Sequence, residues 1–477
     1  MNTLPSSPGH REPRWLGWVV LTLAAIVGCL GAKPTAGGWQ DASRLAMIEA
    51  LVDHYTWAID DSIFVKPTPG HDPYPSQDPI YQIGTQDKLF IKGHFYSDKP
   101  VFALLLAAIY QLWEWCGGPT AWQRPDLFCW LMTALGSGLA YAFAVWCIYR
   151  ISEVLRLTVS LRLLVTASFA LATVALPYTR QVCVHTTLLG ILAGISLGAV
   201  RLHEAAAAGR TPWGWLAAIG SLAGLGYTLD LGSGPPLVLG VMALTAWRCR
   251  SFKAIAVTAL AALPWILLHQ AINYHIGGTF RPINTVPEYS DFPGSAFPPE
   301  ALTGTWKHDL GSFLVYVSGL LLGKRGFLLH NLPMLLAVPG LIALWRRRSP
   351  YRPELLVLGG WCVATWLMYA ALSNNWSGMC VSIRWFVPFL APAYLVIALV
   401  LREWPDRRRD LLVLSAWGTL MCGLAWWYGP WMGQMVPGYW PIVGLAIVSW
   451  WSLRRWAPKA NTELTLIQTD SQSRQAA

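Results

Sequence analysis

Residues 93–116 read GHFYSDKPVFALLLAAIYQLWEWC. A charged pair, Asp98-Lys99, opens an apolar stretch that could be counted as a membrane span. How residues 100–116 are read decides the sidedness of the segments that follow. A second stretch of the same ambiguity, 311–323, reads GSFLVYVSGLLLG. If both cross, the loop holding Arg150, Arg156 and Arg162 faces outward, and so do Arg201, Arg210, Arg248, Arg250 and Lys253. If both lie flat on the outer face, every basic cluster falls inside. The inner set then holds 22 Lys and Arg against 9 acids, and the outer set 13 against 16. Lys and Arg collect in cytoplasmic loops, and both stretches are short enough for interfacial helices. The flat reading is therefore preferred, with both termini cytoplasmic.

The rest of the chain agrees with a membrane setting. Of 477 residues, 54% are hydrophobic and 13% charged, whereas a soluble globular protein carries roughly 25% charged residues. Repeated apolar runs of about 20 residues then argue for a polytopic all-α membrane protein. Expected spans cover about 15–32, 127–149, 162–177, 182–200, 213–229, 235–247, 254–274, 327–345, 354–372, 384–401, 411–428 and 437–454, roughly twelve in all. Many of the 28 Trp, such as Trp15, Trp213, Trp345 and Trp440, lie near segment ends, where amphipathic rings suit the lipid–water interface. Arg11 and Arg14 precede a first apolar stretch long enough to be an uncleaved span rather than a signal peptide. The nine cysteines are scattered, with no CxxC or Cys/His cluster, which disfavours a zinc or disulfide framework. No soluble basic domain is visible, so nucleic acid is not an expected partner.

The flat reading leaves two large outer loops, 33–126 and 275–326, on a transmembrane domain of residues 1–456, and a polar, disordered cytoplasmic tail at 457–477. In the first loop, Leu45, Ile48, Val52 and Tyr55 share one helical face. Asp41 and Arg44 start that helix, three apart and so neighbours. Asp41 suits a plain helix cap, favoured at the positive helix end. Pro100 suits the first turn of the following helix, and Asp98 falls at about its N-cap. Lys99 is the misfit, because a cation at a helix N-terminus is unfavourable unless an anion sits there. At the membrane surface that anion can be a lipid phosphate. Beyond the first loop, the outer cations are few: Arg180, Arg281, Lys307, Lys324, Arg325 and Arg384. Lys99, Arg325 and Arg384 share the outer plane and could converge on one phosphate, although Arg325 and Arg384 could equally snorkel to headgroups. Asp230 and His185 also sit at outer span ends.

These motifs resemble those of the GT-C glycosyltransferases, the polyprenyl-phosphate-sugar-dependent enzymes related to protein mannosyltransferases and the aminoarabinose transferase of lipid A. The resemblance rests on DASRLAMIEAL (41–51), GHFYSDKP (93–100), LGKRGFLLHNLPMLL (322–336) and NWSGMCVSIRWFVPFLAP (375–392). It implies that Asp41 is the catalytic carboxylate and general base. It implies that Lys99, with Arg384 or Arg325, binds the donor phosphate. Arg44, Asp98, Tyr96 and His94 would be supporting residues, with Asp98 holding a divalent ion or orienting Lys99. The implied partners are a polyprenyl-phosphate-linked sugar donor, a glycan, lipid or protein acceptor, and membrane lipids. The chain also departs from the pattern. Ala42 replaces a second acid, TRQVCVH (179–185) lacks an acid that several relatives carry, and WSGMCVSIRW lacks two glycines. Asp60 and Asp61 are candidates for a substitute carboxylate.

The leading expectation is an inverting glycosyltransferase of the cell membrane, working on the extracytoplasmic side. The alternative is a polytopic transporter or lipid flippase, which should carry ionisable residues at mid-membrane; the expected spans hold almost none. A third reading, an O-antigen-ligase-like or polymerase-like enzyme, should place its large loop late in the chain.

Overall fold

Glycines set how closely the helices approach. In α1 (Trp15–Gly31), a Cβ on Gly28 would lie 2.8 Å from the Cα of Gly138. Gly138 ends a π-helical turn (Ala134–Gly138) that joins α5 (Pro125–Thr133) to α6 (Leu139–Val154) as one continuous long helix. The computed structural model describes residues 15–68, 70–74, 79–297, 304, 308–432 and 435–456, and the tail expected at 457–477 lies outside them. Between α1 and α5 come α2 (Trp39–Asp53), the short α3 (Pro79–Gln82), the strands β1 (Leu89–Ile91) and β2 (His94–Tyr96), and α4 (Pro100–Trp115).

After α6 come α7 (Val159–Leu171), α8 (Val184–Ala207), α9 (Trp213–Leu229), α10 (Gly234–Cys249) and α11 (Phe252–Gly277). The later half holds α12 (Leu310–Leu322), α13 (Phe327–His330), α14 (Met334–Arg346), α15 (Arg352–Leu372), α16 (Leu390–Glu403), α17 (Arg408–Tyr428) and α18 (Tyr439–Trp456). Every one of the twelve expected segments carries a helix. Among the described residues, seven stretches are long and apolar enough to cross a membrane, and the apolar helices α1, α4, α7 and α14 are shorter. The protein is an all-α polytopic membrane fold with one small hairpin.

α8 and α16 are almost wholly buried and form the centre of the bundle. α9 and α11 touch backbone to backbone: Cβ atoms on Gly220 and Gly224 would fall within 2.4 Å of the carbonyl oxygens of Thr258 and Ala262. Small residues four apart are the usual means of such close contact between membrane helices. The segment expected as one span at 327–345 is broken. His330 ends α13, and α14 starts at Met334 after Pro333, whose ring has no N–H to continue a helix. The second ambiguous stretch ends at Leu322, with Gly323 as its C-cap, before Lys324 and Arg325.

The hairpin pairs Leu89 with Tyr96 and Ile91 with His94. Leu89 and Ile91 join Val101 of α4 with Ile272 and Ile276 of α11 in a small apolar cluster, separate from the main core. That cluster pins the SDKP turn against the end of α11.

Candidate active site

The first outer loop is held by α2. Gly38, with extended backbone, is its N-cap and makes no side-chain cap bond. Asp41 reaches back instead, and its Oδ2 accepts the Gly37 N–H at 2.6 Å. The bond reaches the residue before the N-cap rather than the N-cap itself, so it steadies the entry to α2 without completing a capping box. It uses one oxygen. Oδ1 is buried and makes no hydrogen bond among the described residues. The residue is 0% exposed, and burial raises its pKa to about 7 against the opposing pull of the Gly37 and Gly38 N–H groups and Arg44. Trp431 and Gln181 close tightly over Gly37.

One turn on, Arg44 is 1% exposed. It does not pair with Asp41 as their spacing suggests. Nη1 meets Asp87 Oδ2 at 2.5 Å and Nη2 meets Asp98 Oδ1 at 2.7 Å. Nη1 also donates to the Gln40 carbonyl. Burial pushes the Asp87 pKa up, with the negative charge of Asp98 adding to it and Arg44 opposing. Ser43 Oγ donates to Ser97 Oγ at 3.0 Å, tying α2 to the SDKP turn a second time.

Lys99, not Asp98, is the N-cap of α4, and no side chain caps that helix. The capping expectation for Asp98 is thus corrected. Its carboxylate is drawn to Arg44 and lies 3.8 Å from Lys99 Nζ, and an ion pair with a buried guanidinium outweighs an N-cap bond.

Lys99 opens onto a cavity of about 420 Å³. Arg44, Lys88 and Arg384 line it with Lys99, facing Asp87, Asp98 and Asp230. His185, at the start of α8, forms part of the wall, and its Nδ1 makes no hydrogen bond among the described residues. Asp230 ends α9 and is 5% exposed. Its carboxylate accepts from Tyr369 Oη and Ser233 Oγ, both at 2.8 Å, and from the Gly232 N–H at 3.1 Å. Burial acts on Asp230 most strongly and upward, but Lys99, His185 and the two hydroxyls outweigh it and hold the pKa low. Tyr369 and Trp385 stack at 4.3 Å, which gives the cavity an aromatic wall. Arg384 starts a 3-10 turn, lies over the Trp431 ring at 5.6 Å, and has an Nε without a hydrogen-bond partner among the described residues.

The cavity therefore brings together Lys99, Arg384, Arg44 and Asp98 of the expected residues. Asp41 is not on its lining; its neighbour Gln40 is. Arg325 lies outside the lining and donates to the Gly378 carbonyl, on the turn beside Arg384. His94 and Tyr96 are on the hairpin, with His94 Nδ1 3.1 Å from Asp60. Asp60 also accepts the Phe95 N–H, and Asp61 pairs with Lys66 in solvent, so neither reaches the cavity. Asp87, Tyr369 and Trp385 were not anticipated as site residues. Asp87 sits in a turn-rich segment, and Tyr369 and Trp385 read as ordinary span aromatics. Among the described residues, no three His, Cys, Asp or Glu are grouped to hold a metal ion. Asp98 is engaged by two cations, which does not suit a divalent ion.

No family model matches the sequence, and no curated protein matches it either. Solved structures with a similar course include ArnT from Cupriavidus metallidurans bound to undecaprenyl phosphate, at 14% identity over 91% of this chain and 75% of that one, with a TM-score of 0.48. The apo state of ArnT gives 14% identity, 93% and 73% coverage, and 0.49. The Archaeoglobus fulgidus oligosaccharyltransferase in the apo form gives 12% identity, 92% and 57% coverage, and 0.45. These proteins are GT-C fold glycosyltransferases. At likeness of this level, function has to be argued from the residues of the cavity.

Proposed function

We propose that the chain is a membrane-embedded glycosyltransferase that moves a sugar from a polyprenyl-phosphate donor to an extracytoplasmic acceptor, with inversion at the anomeric carbon. The observation that carries this reading is the cavity itself. Lys99, Arg384 and Arg44 converge there, and Asp41, whose burial raises its pKa to about 7, lies one residue behind the lining residue Gln40.

In this reading the phosphate of the donor lies between Lys99 and Arg384. Arg forks match phosphate oxygens, and a cation at the start of α4 is stabilised once an anion joins it. An acceptor hydroxyl attacks the anomeric carbon while the bond from that carbon to the phosphate oxygen breaks. The electron pair leaves with the polyprenyl phosphate, where the cations stabilise the developing charge. The hydroxyl proton passes to Asp41 Oδ1, and a base titrating near 7 suits that task. Because Asp41 is sealed under Gly37 and Trp431, the role requires a local opening of that contact. Asp230, fixed by Tyr369 and Ser233, places a negative charge on the cavity wall that Lys99 also lines.

The distribution of charge supports an enzyme over a transporter. Asp, Glu, Lys and Arg of the long apolar helices fall in their terminal two turns rather than mid-span. The reading places the protein in the cell membrane, with cytoplasmic termini and the cavity outside. Incubation with a panel of polyprenyl-phosphate sugars tests it. Release of polyprenyl phosphate is expected with at least one donor and a supplied glycan, lipid or protein acceptor. Release that persists unchanged in Lys99→Ala and Arg384→Ala would remove this cavity from the reaction.

A further inference from the structure

α14 and α16 cross tightly at Gly340, where a Cβ would come 2.4 Å from Val400 Cγ2. Beyond that crossing, the last turns of α14 and the residue that ends α16, Trp404, enclose an open cavity of about 500 Å³. Its floor is Pro339, Ile342 and Ala343, and its mouth is Arg346, Arg347 and Trp404. The Arg347 guanidinium lies over the Trp404 ring at 4.7 Å. Arg346 and Arg347 are exposed, and neither pairs with a carboxylate among the described residues. The nearby Arg407 and Arg402 are in contact with Asp410 and Glu403. The apolar face continues along α14 through exposed Val338 and Ile342.

We propose that this cavity binds one anionic phospholipid, with the headgroup phosphate between Arg346 and Arg347 and an acyl chain along Ile342 and Val338. The occupant follows from chemistry. Two unpaired guanidinium groups call for an anion that accepts fork-shaped hydrogen bonds. An apolar floor running onto a lipid-facing helix calls for a chain attached to that anion. Trp404 places the mouth at the interface, where indole rings are favoured. Basic pockets between membrane helices are recognised headgroup sites. The site lies at the opposite end of α14 and α16 from the 3-10 turn that carries Arg384, and it is independent of the transferase reading.

Native mass spectrometry of the full chain in mild detergent tests the proposal, with titrations of phosphatidylglycerol and phosphatidylcholine of matched chains. Phosphatidylglycerol is expected to bind at least tenfold more tightly. Arg346→Gln/Arg347→Gln should weaken it by about twenty-fivefold, from about fivefold for each cation near an anionic headgroup. Ala343→Trp fills the floor, keeps both charges, and should also displace the lipid; it answers the question if the double variant fails to fold. Equal binding of the two lipids would overturn the site. So would wild-type affinity for phosphatidylglycerol in either variant, or displacement of that lipid from the site by polyprenyl phosphate at lower concentration.

Discussion

Replacing Asp41 with Asn separates two consequences of one buried carboxyl. Burial raises the pKa from 3.8 to about 7. Between those values the folded protein holds a proton that the unfolded chain has released, so stability falls as pH rises through that window and the whole penalty is present above pH 7. A shift of that size corresponds to about 4 kcal/mol. Asn carries no charge and keeps an oxygen for the Gly37 N–H. The variant should therefore melt higher than the wild type at pH 8, by roughly 3–5 °C for a chain of this length, and the gap should narrow to about 1 °C near pH 4.5 and close below pH 3.8. Sugar transfer should be abolished in the same variant. The wild-type rate should fall tenfold per pH unit below about pH 7, as a base that must be deprotonated dictates. Thermal unfolding in detergent across pH 4.5–8.5, run beside single-turnover transfer, measures both. Parallel stability curves for the two proteins would refute the buried-carboxyl argument, and full transfer by the variant would refute the base assignment.

Arg44→Ala leaves the half-buried Asp87 and Asp98 facing each other without their shared cation, with an expected loss of about 2–3 kcal/mol, seen as a lower melting temperature that Arg44→Lys only partly restores. Lys99→Ala should weaken binding of a polyprenyl-phosphate sugar in a calorimetric titration while leaving the melting temperature within a degree or two; unchanged affinity would remove Lys99 from the site. Gly28→Leu should disrupt the contact of α1 with the π-helical turn at Gly138, and the folded yield in detergent should drop. Cys116 is exposed just past α4. In a variant keeping only that cysteine, an impermeant thiol reagent should label it from the outside alone, and cytoplasmic labelling would restore 100–116 as a span.

Apolar runs report where helices form, because in lipid every backbone polar group must be satisfied within the segment. That is why all twelve stretches proved helical. They do not report breaks. The run 327–345 is continuous in hydropathy, yet Pro333 interrupts it. The GHFYSDKP stretch was informative for a local reason, a cation beside a helix start. Its neighbour misled for a tertiary reason: Asp98 stands where a cap belongs, and Arg44, 54 residues earlier, draws its carboxylate away. Asp87, Tyr369 and Trp385 carry no local signal. They become part of the site because distant segments meet at Lys99 and Asp230. Asp41 shows the same division, since its position at a helix start is readable while its enclosure by Trp431 and Gln181 is not.

The Arg44 junction has a consequence for how the molecule assembles. One guanidinium holds acids from two turns that lie far from it along the chain. With only one acid docked, the pair is neutral and nothing demands the other; the second acid then brings an excess negative charge that Lys99 must offset. α2, the turn at Asp87 and the start of α4 are thus tied at one buried guanidinium. The cavity exists only where these segments meet residues from α9, α15 and the turn at Arg384, so a chain with every helix formed but this junction open would have no cavity.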